Sequence, residues 1–427
     1  MTPPKKIVLP NKTNTVILAS IFRKGAIHEN EGKEGIAHLA EHCLFREVKE
    51  KIGLWNIVGN AFTNYYTTTY AAETMPWAKK QTERFIQKVM TTKSVSEKTC
   101  LSEISVVRSE LSSLLNNPIR YISRLLIPQT AFRGRRAKPV LGTLQSISKI
   151  NIEDINRWIR EHPEPIVIEY TKHAQENSDA KNGKVKTRIS SSVEYTRKNV
   201  TEERPVKGHY GAIVWTAPLS PTIKALLNYV GNTESETWKR LRRLGTYFPR
   251  FGYTAEPLPR VLVYFETDAP LPSEEKVDEA FSIVLEAIEK IRDGEIDEKL
   301  LTHARTLSAI KLEHHTPSIK TLPQDVAHLL AIGQTYAEFT EKSISATSEQ
   351  IMAAAQAMDK PRFVKVLPKS EDTKLSGDKH GSHTKGRCSF CRRGNRDLCN
   401  PRQGKRREKR RDNSGENYHT TGLSKGC

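Results

Sequence analysis

Hydrophobic and polar positions alternate at the start of the chain, in residues Lys6–Phe22, on either side of a polar turn at Pro10-Asn11-Lys12. A period of two is typical of β-strands, so we predict two short strands that pair with each other as a hairpin. The Thr- and Tyr-rich run Ala61–Glu73 predicts one further strand. The apolar run Pro165–Tyr170 predicts a buried strand.

Between these strands the hydrophobic spacing changes to three and four, which is typical of helices with one buried face. The pattern predicts helices in four segments of the first half: Glu34–Val48, Trp77–Met90, Ser96–Leu115 and Ile152–Glu161. Ser96 is a suitable N-cap for the third of these helices, and Asn116-Asn117-Pro118 is a suitable end.

The second half repeats this order of elements, with early strands followed by helices and a last helix followed by a strand. Its predicted strands are Tyr210–Trp215, Arg260–Glu266 and Arg362–Leu367. Its predicted helices are Thr222–Val230, Ser273–Arg292, Asp297–Glu313, Gln324–Ala331 and Ser348–Met358. We therefore predict an α+β fold made of two related domains, each a mostly antiparallel β-sheet with helices packed on one face.

The 427 residues divide into four segments. We predict an N-terminal domain over 1–170, a polar linker over 171–206, a second domain over 207–368 and a basic tail over 369–427. No apolar run approaches the eighteen residues of a membrane span. The start, Met1-Thr2-Pro3-Pro4-Lys5-Lys6, lacks an apolar signal core, so we expect a cytoplasmic protein. Cys43 and Cys100 are the only cysteines before the tail, which excludes a disulfide framework.

The net charge is +19, and nearly half of this positive charge lies in the tail. The tail holds 16 basic and 7 acidic residues, a net +9, which leaves +10 for the preceding 368 residues. The run Lys405–Arg411 is suited to contact nucleic-acid phosphates without reading sequence. Cys388, Cys391 and Cys399, with His380 and His383, are candidates for a second, structural zinc site, but their spacing matches no zinc module. The alternative, which the composition favours, is a flexible, reduced tail.

The segment with the most specific chemistry is His38-Leu39-Ala40-Glu41-His42, on the first predicted helix. Histidines four residues apart lie on one helix face, so both imidazoles can meet one metal ion. The order His-x-x-Glu-His is that of the inverted zincins. The alternative is a helix face with two unrelated histidines.

A third ligand is expected from a helix that packs against the first. Glu103 and Glu110 are seven residues apart on the helix Ser96–Leu115 and share a face beside an apolar stripe. Glu110 is the candidate ligand, and Glu103 is a candidate supporting carboxylate. The alternative for each is a solvated charge.

Several segments together resemble the pitrilysin and insulin-degrading enzyme family of zinc metallopeptidases, and its short-subunit branch that includes the mitochondrial processing peptidases. GIAHLAEHCLF (Gly35–Phe45) resembles the family's metal-binding segment, and VGNAFTNYYTTTY (Val58–Tyr70) resembles its edge strand. EISVVRSE (Glu103–Glu110) and RRAKPVLGTLQSISKINIEDINRWI (Arg135–Ile159) follow in the same order. The resemblance covers about residues 5–368.

This resemblance implies a zinc-dependent endopeptidase that cleaves extended or unfolded peptides. His38, His42 and Glu110 would bind one zinc ion, and Glu41 would take a proton from the attacking water. Asn60 and Ala61 would present an edge strand to which the peptide substrate adds.

The family's second domain contributes an Arg and a Tyr to substrate binding. The corresponding segment here is LRRLGTYFPRFGY (Leu241–Tyr253), which assigns these roles to Arg242 and Tyr247. The spacing between the two is shorter than in the family, so Arg240 and Arg243 stay alternatives to Arg242.

The resemblance also implies a homo- or hetero-dimer. Two other functions stay open from the sequence. One is a non-catalytic homologous subunit of a peptidase-like assembly, and the other is a nucleic-acid-associated protein that acts through its basic tail.

Overall fold

The computed structural model describes residues 4–172, 174, 194–255, 258 and 260–369. The candidate tail zinc site at Cys388, Cys391 and Cys399, the basic run Lys405–Arg411 and most of the predicted linker lie outside the described residues.

The first half contains five strands and seven helices among the described residues. Its strands are β1 (Lys6–Pro10), β2 (Val16–Phe22), β3 (Ile57–Thr63), β4 (Thr68–Thr74) and β5 (Ile166–Thr171). Its helices are α1 (Ile36–Ile52), α2 (Lys79–Thr91), α3 (Glu97–Asn116), α4 (Pro118–Tyr121), α5 (Ile127–Ala131), α6 (Leu144–Ile147) and α7 (Ile152–Arg160). A π-helical turn, Ile122–Leu126, joins α4 to α5.

The second half also contains five strands and seven helices among the described residues. Its strands are β6 (Val200–Arg204), β7 (Tyr210–Ala217), β8 (Arg250–Tyr253), β9 (Val261–Glu266) and β10 (Arg362–Pro368). Its helices are α8 (Pro221–Val230), α9 (Glu236–Arg243), α10 (Glu274–Arg292), α11 (Glu298–Glu313), α12 (Leu322–Ile332), α13 (Tyr336–Ile344) and α14 (Ser348–Gln356). None of the helices in the described part of the chain is long and apolar enough to span a bilayer.

The two sheets have the same strand order. The first is β1-β5-β2-β4-β3 and the second is β6-β10-β7-β9-β8. Strands β1 and β5 of the first sheet pair in parallel, as do β6 and β10 of the second. All the other neighbouring strands pair antiparallel. This correspondence, strand for strand, confirms a duplicated α+β unit with mostly antiparallel sheets.

The predicted hairpin between the first two strands is wrong. Strand β5 lies between β1 and β2, parallel to the former and antiparallel to the latter. Five of the six residues of β5 are buried, and a run that is buried on both faces belongs in the interior of a sheet. The predicted single strand Ala61–Glu73 is also wrong in part, because the chain reverses at Asn64. The Asn64 side chain accepts hydrogen bonds from the backbone N–H groups of Tyr66 and Thr67.

The end of the predicted linker belongs to the second sheet. Strand β6 is polar and, in the described part of the chain, pairs only with β10, at the edge of the sheet. Because an edge strand with solvated side chains has no hydrophobic period, the sequence pattern does not reveal it. The short elements α9, β8 and α13 were missed as well.

In addition to its own helices, each sheet is covered on its second face by elements of the other half. Helix α12 buries Leu322, Val326 and Leu329 against β2 and β5 of the first sheet. In return, residues from Leu114 to Phe132 pack on the second sheet, with Ile122 and Leu126 fully buried there. Burial stabilises each large apolar side chain by about 1.5–3 kcal/mol. Neither half therefore buries both faces of its sheet alone.

Candidate metal centre

The first turn of α1 is held by a buried carboxylate and a glycine. Glu29 accepts hydrogen bonds from the backbone N–H groups of Gly35 and Ala37, both at 3.0 Å, and these groups have no partner within the helix. Arg135 Nε donates to Glu29 Oε2 at 2.8 Å. Gly35 has a φ of 93°, and a Cβ there would lie 2.6 Å from the carbonyl oxygen of Leu141. Only glycine fits this entry into the helix, which fixes where the next turn projects its histidines.

The three predicted ligands lie together. His38 and His42 share one face of α1, with ring centroids 4.6 Å apart. Glu110 Oε2, from α3, lies 3.7 Å from Nε2 of each histidine. Among the described residues, these side chains form the one group of three His, Cys, Asp or Glu whose donor atoms lie within 4.8 Å of one another.

The spacing and chemistry of these donors fit zinc. Zinc–ligand bonds of about 2.1 Å in a tetrahedron place two donor atoms about 3.4 Å apart, close to the observed 3.7 Å. Two imidazoles and one carboxylate are a common protein donor set for a catalytic zinc ion. Burial, with a smaller effect of His42, lowers the pKa of His38 to about 3, so the ring is neutral as a metal ligand must be.

Glu103 orients one of the imidazoles. His42 Nδ1 lies 3.0 Å from Glu103 Oε2, and the Glu103 side chain is only 9% exposed. A carboxylate oxygen at this distance accepts a hydrogen bond from the ring, so it selects the tautomer with the proton on Nδ1. That tautomer leaves the lone pair of Nε2 directed toward Glu110. The supporting role of Glu103 stays a prediction that this geometry permits.

Helices α1 and α3 are connected a second time, near the start of α3. Glu47 Oε2 accepts hydrogen bonds from the Ser96 backbone N–H at 3.1 Å and from the Thr99 hydroxyl at 2.8 Å. Two polar connections, at Glu47 and at Glu103, therefore fix the position of α3 along α1. This fixed position brings Glu110 to the two histidines.

Glu41 is buried beside the donor cluster but belongs to a different network. Thr63 Oγ1 donates a hydrogen bond to Glu41 Oε2 at 2.9 Å. The pKa of Glu41 is raised to about 7, mainly by burial and to a smaller extent by Glu110, whereas His42 and Thr63 oppose the shift. A carboxylate with this pKa can both accept and return a proton near neutral pH. Sequence reasoning missed Thr63, although it lies in the segment that resembles the family's edge strand.

Asn60 and Ala61 lie on β3, the edge strand of the first sheet. This strand pairs only with β4 among the described residues, and Asn60 lies opposite Ala71. Asn60 is exposed and Ala61 is half-buried. Since Thr63 ends the same strand, the free edge leads directly to Glu41.

Arg242 and Tyr247 are not brought to this cluster by any contact in the described part of the chain. Arg242 is exposed in the last turn of α9, and Tyr247 is 63% exposed in the loop that follows. The alternatives Arg240 and Arg243 pair with glutamates of the second half, Glu286 and Glu236. A substrate role for any of these side chains stays a prediction.

Comparison with known proteins bears on the residues that form this centre. The sequence model of the insulinase family, peptidase family M16, matches residues 6–144, a stretch that contains His38, Glu41, His42 and Glu110. Residues 6–144 are therefore similar in sequence to the insulinase (M16) family.

Two curated relatives match over 157 residues at 24% identity. One is an uncharacterized zinc protease of Rickettsia bellii, and the other is the beta subunit of the mitochondrial-processing peptidase of Caenorhabditis elegans. Each match covers 35% of this chain, and the chain spans 38% and 34% of the length of these relatives.

A solved structure extends the likeness of the fold to both halves. A protease from Helicobacter pylori superposes with a TM-score of 0.68 at 17% identity, over 85% of this chain and 97% of that one. The fold shared with that protease therefore includes the second sheet, which lies outside the residues that the family model matches.

Proposed function

We propose that this protein is a zinc-dependent endopeptidase of extended peptides. The observation that carries the proposal is the convergence of His38, His42 and Glu110, with donor atoms within 4.8 Å, beside the buried carboxylate of Glu41. The zinc protease name of the Rickettsia relative supports it.

His38, His42 and Glu110 would hold the zinc ion, which when bound supplies Lewis acidity and lowers the pKa of water. Glu41 takes a proton from the attacking water, and the hydrogen bond from Thr63 holds its carboxylate in place. Glu41 then returns the proton to the leaving amine, because an amide nitrogen must be protonated before it departs. Glu103 holds the His42 ring throughout.

The free edge of β3 is the proposed substrate platform. An extended peptide that adds to this edge gains main-chain hydrogen bonds, and these require an unfolded backbone more than a given sequence. The strand ends at Thr63, 2.9 Å from Glu41. A peptide bond aligned along β3 is thereby delivered to the general base.

The second candidate is a non-catalytic subunit of a peptidase-like assembly. Its support is that one relative is named as a subunit, the beta subunit of a processing peptidase, and that Arg242 and Tyr247 do not contact the centre. The complete donor set with Glu41 favours catalysis. In either case we propose that the protein works as a homo- or hetero-dimer.

The two candidates are separated by metal content and peptide-library cleavage, measured on the wild type and on Glu41→Gln. We expect about one zinc per chain in both proteins and at least a 10²-fold loss of cleavage in the variant. Glu50→Gln is the matched control, because Glu50 lies on the exposed face of the same helix and pairs with Arg46. Undiminished cleavage by Glu41→Gln would contradict the mechanism, and a wild type with zinc but no cleavage would support the subunit role.

A further inference from the structure

A cavity of about 400 Å³ lies in the second half, apart from the metal centre. Its walls come from α8, β8, α12 and the start of α13. By strand order, β8 corresponds to β3, and α8 follows β7 as α1 follows β2. The cavity between α8 and β8 therefore occupies the place in the second unit that the metal centre occupies in the first.

The cavity contains a buried lysine without an acidic partner among the described residues. Lys224, on α8, is 7% exposed. Its ammonium group donates a hydrogen bond to the Thr340 hydroxyl and lies 3.8 Å from the ring centroid of Tyr336. None of the described residues that line the cavity is Asp or Glu. A buried charge without a counter-charge is unfavourable, so this amine is suited to take its counter-charge from a ligand.

The other titratable groups around Lys224 do not supply that negative charge. Lys311, on α11, is a second cation whose charge acts on Lys224. His328 accepts the hydrogen of the Tyr253 hydroxyl at Nε2, 3.0 Å away, and donates from Nδ1 to the Gln324 carbonyl, 2.8 Å away. Burial lowers the pKa of His328 to about 4, so the ring is neutral. Burial likewise raises the pKa values of the Tyr253 and Tyr336 hydroxyls, so both stay neutral.

The remaining walls combine apolar side chains with two amides. The apolar part is formed by Leu227, Phe251, Pro323 and Ala327, and the amides are those of Asn228 and Gln324. A cavity of this size with one fixed cation, apolar surface and a few hydrogen-bonding groups is suited to a ligand that has an apolar or aromatic body and a single negative group.

We propose that this cavity is a binding site for organic carboxylates, with the Lys224 ammonium group as the counter-ion. The carboxylate belongs either to a small free acid or to the C-terminus of a peptide. The proposal does not depend on the peptidase function.

Protonation supports this assignment. Burial, with a smaller effect of Lys311, lowers the pKa of Lys224 to about 7. A bound carboxylate favours the charged ammonium group and raises this pKa, so binding at pH 8 takes up a proton. Affinity for carboxylates is then expected to fall as the pH rises above 7.

The test is calorimetric titration of the full-length protein with two carboxylates and their neutral amides. The small acid is N-acetylphenylalanine, and the peptide is acetyl-Ala-Ala-Phe with a free C-terminus. Each is compared with its C-terminal amide in the wild type, in Lys224→Met and in Lys342→Met. The last variant is the matched control, because Lys342 is an exposed lysine of α13.

We expect at least one carboxylate to bind the wild type and Lys342→Met, and to bind Lys224→Met at least about 10-fold more weakly. Binding of the small acid identifies a site for free acids, and binding of the peptide alone identifies a site for peptide C-termini. The amides test the need for a negative charge in the wild-type protein, without any variant. They should bind at least about 10-fold more weakly than the corresponding carboxylates. Equal binding of acid and amide, equal binding by a folded Lys224→Met, or no binding of either carboxylate in the millimolar range would overturn the proposal.

Discussion

Glu103 is the residue through which the metal-centre geometry can be tested without removing a ligand. Its carboxylate lies 3.0 Å from His42 Nδ1 and is nearly buried, so water cannot readily replace it. Glu103→Leu removes the acceptor and leaves the ring free to turn. Glu103→Gln keeps a carbonyl acceptor but removes the charge that strengthens the hydrogen bond. We therefore expect zinc affinity to fall in the order wild type, Gln, Leu.

The magnitude follows from the hydrogen bond that is lost. A hydrogen bond to a charged group contributes about 1.5–3 kcal/mol, and each 1.4 kcal/mol is a factor of about ten in affinity. Glu103→Leu should therefore weaken zinc binding about 10- to 100-fold, in line with other residues that orient metal-binding histidines. Glu103→Gln should lose about half of that free energy.

The assay is competition for zinc with a chelating dye at pH 7, together with thermal unfolding to show that each variant is folded. Glu97→Gln is the control, because Glu97 lies exposed in the first turn of the same helix. If both Glu103 variants are folded and bind zinc within about twofold of wild type, Glu103 does not orient His42. In that case the assignment of His42 as a ligand through Nε2 fails as well.

Three further predictions concern stability. Gly35→Ala should destabilise the protein by at least about 2 kcal/mol in urea unfolding, because strain at positive φ is joined by a clash with a backbone oxygen; Gly32→Ala, also at positive φ but in open space, should cost less. Although burial opposes it, hydrogen bonds from Lys51, Ser96 and Thr99 lower the pKa of Glu47 to about 2. Glu47 therefore contributes stability that is present above pH 4.5 and is lost as the pH falls toward 2, and Glu47→Gln should flatten this part of the stability profile. The pKa of Lys224 is also lowered, from 10.5 to about 7, so its effect lies in a more alkaline range. Wild-type stability should rise between these pH values, and Lys224→Met should remove the rise. A variant profile parallel to that of the wild type would contradict either pH prediction.

Local patterns predicted the elements that carry the metal ligands. Helices α1 and α3 have strong hydrophobic periods and clear ends, so the spacing of His38, His42 and Glu110 could be interpreted before their contact was known. The position of β5 between β1 and β2 could not be predicted, because it depends on pairing between residues about 160 positions apart. Glu29, Thr63 and Lys224 were missed for the same reason. Their importance comes from burial and from long-range partners, which leave no local period.

Because each sheet packs against elements of the other half, the second half contacts the first sheet on the face away from the metal centre. The three candidate metal ligands belong to the first half of the chain. Glu41, Glu103 and Thr63 belong to the first half as well. The second half reaches the first sheet through α12, which packs on the face opposite α1. Glu73 lies on β4, the neighbour of β3. Its carboxylate connects the two halves, because it accepts a hydrogen bond from the Ile319 N–H at 3.0 Å. We therefore expect a perturbation of α12 to reach the proposed substrate edge, β3, through the sheet more than it reaches the proposed zinc ligands on α1 and α3. Variants in α12 should thus change the KM for peptides more than zinc affinity, whereas variants of Glu103 should change zinc affinity first.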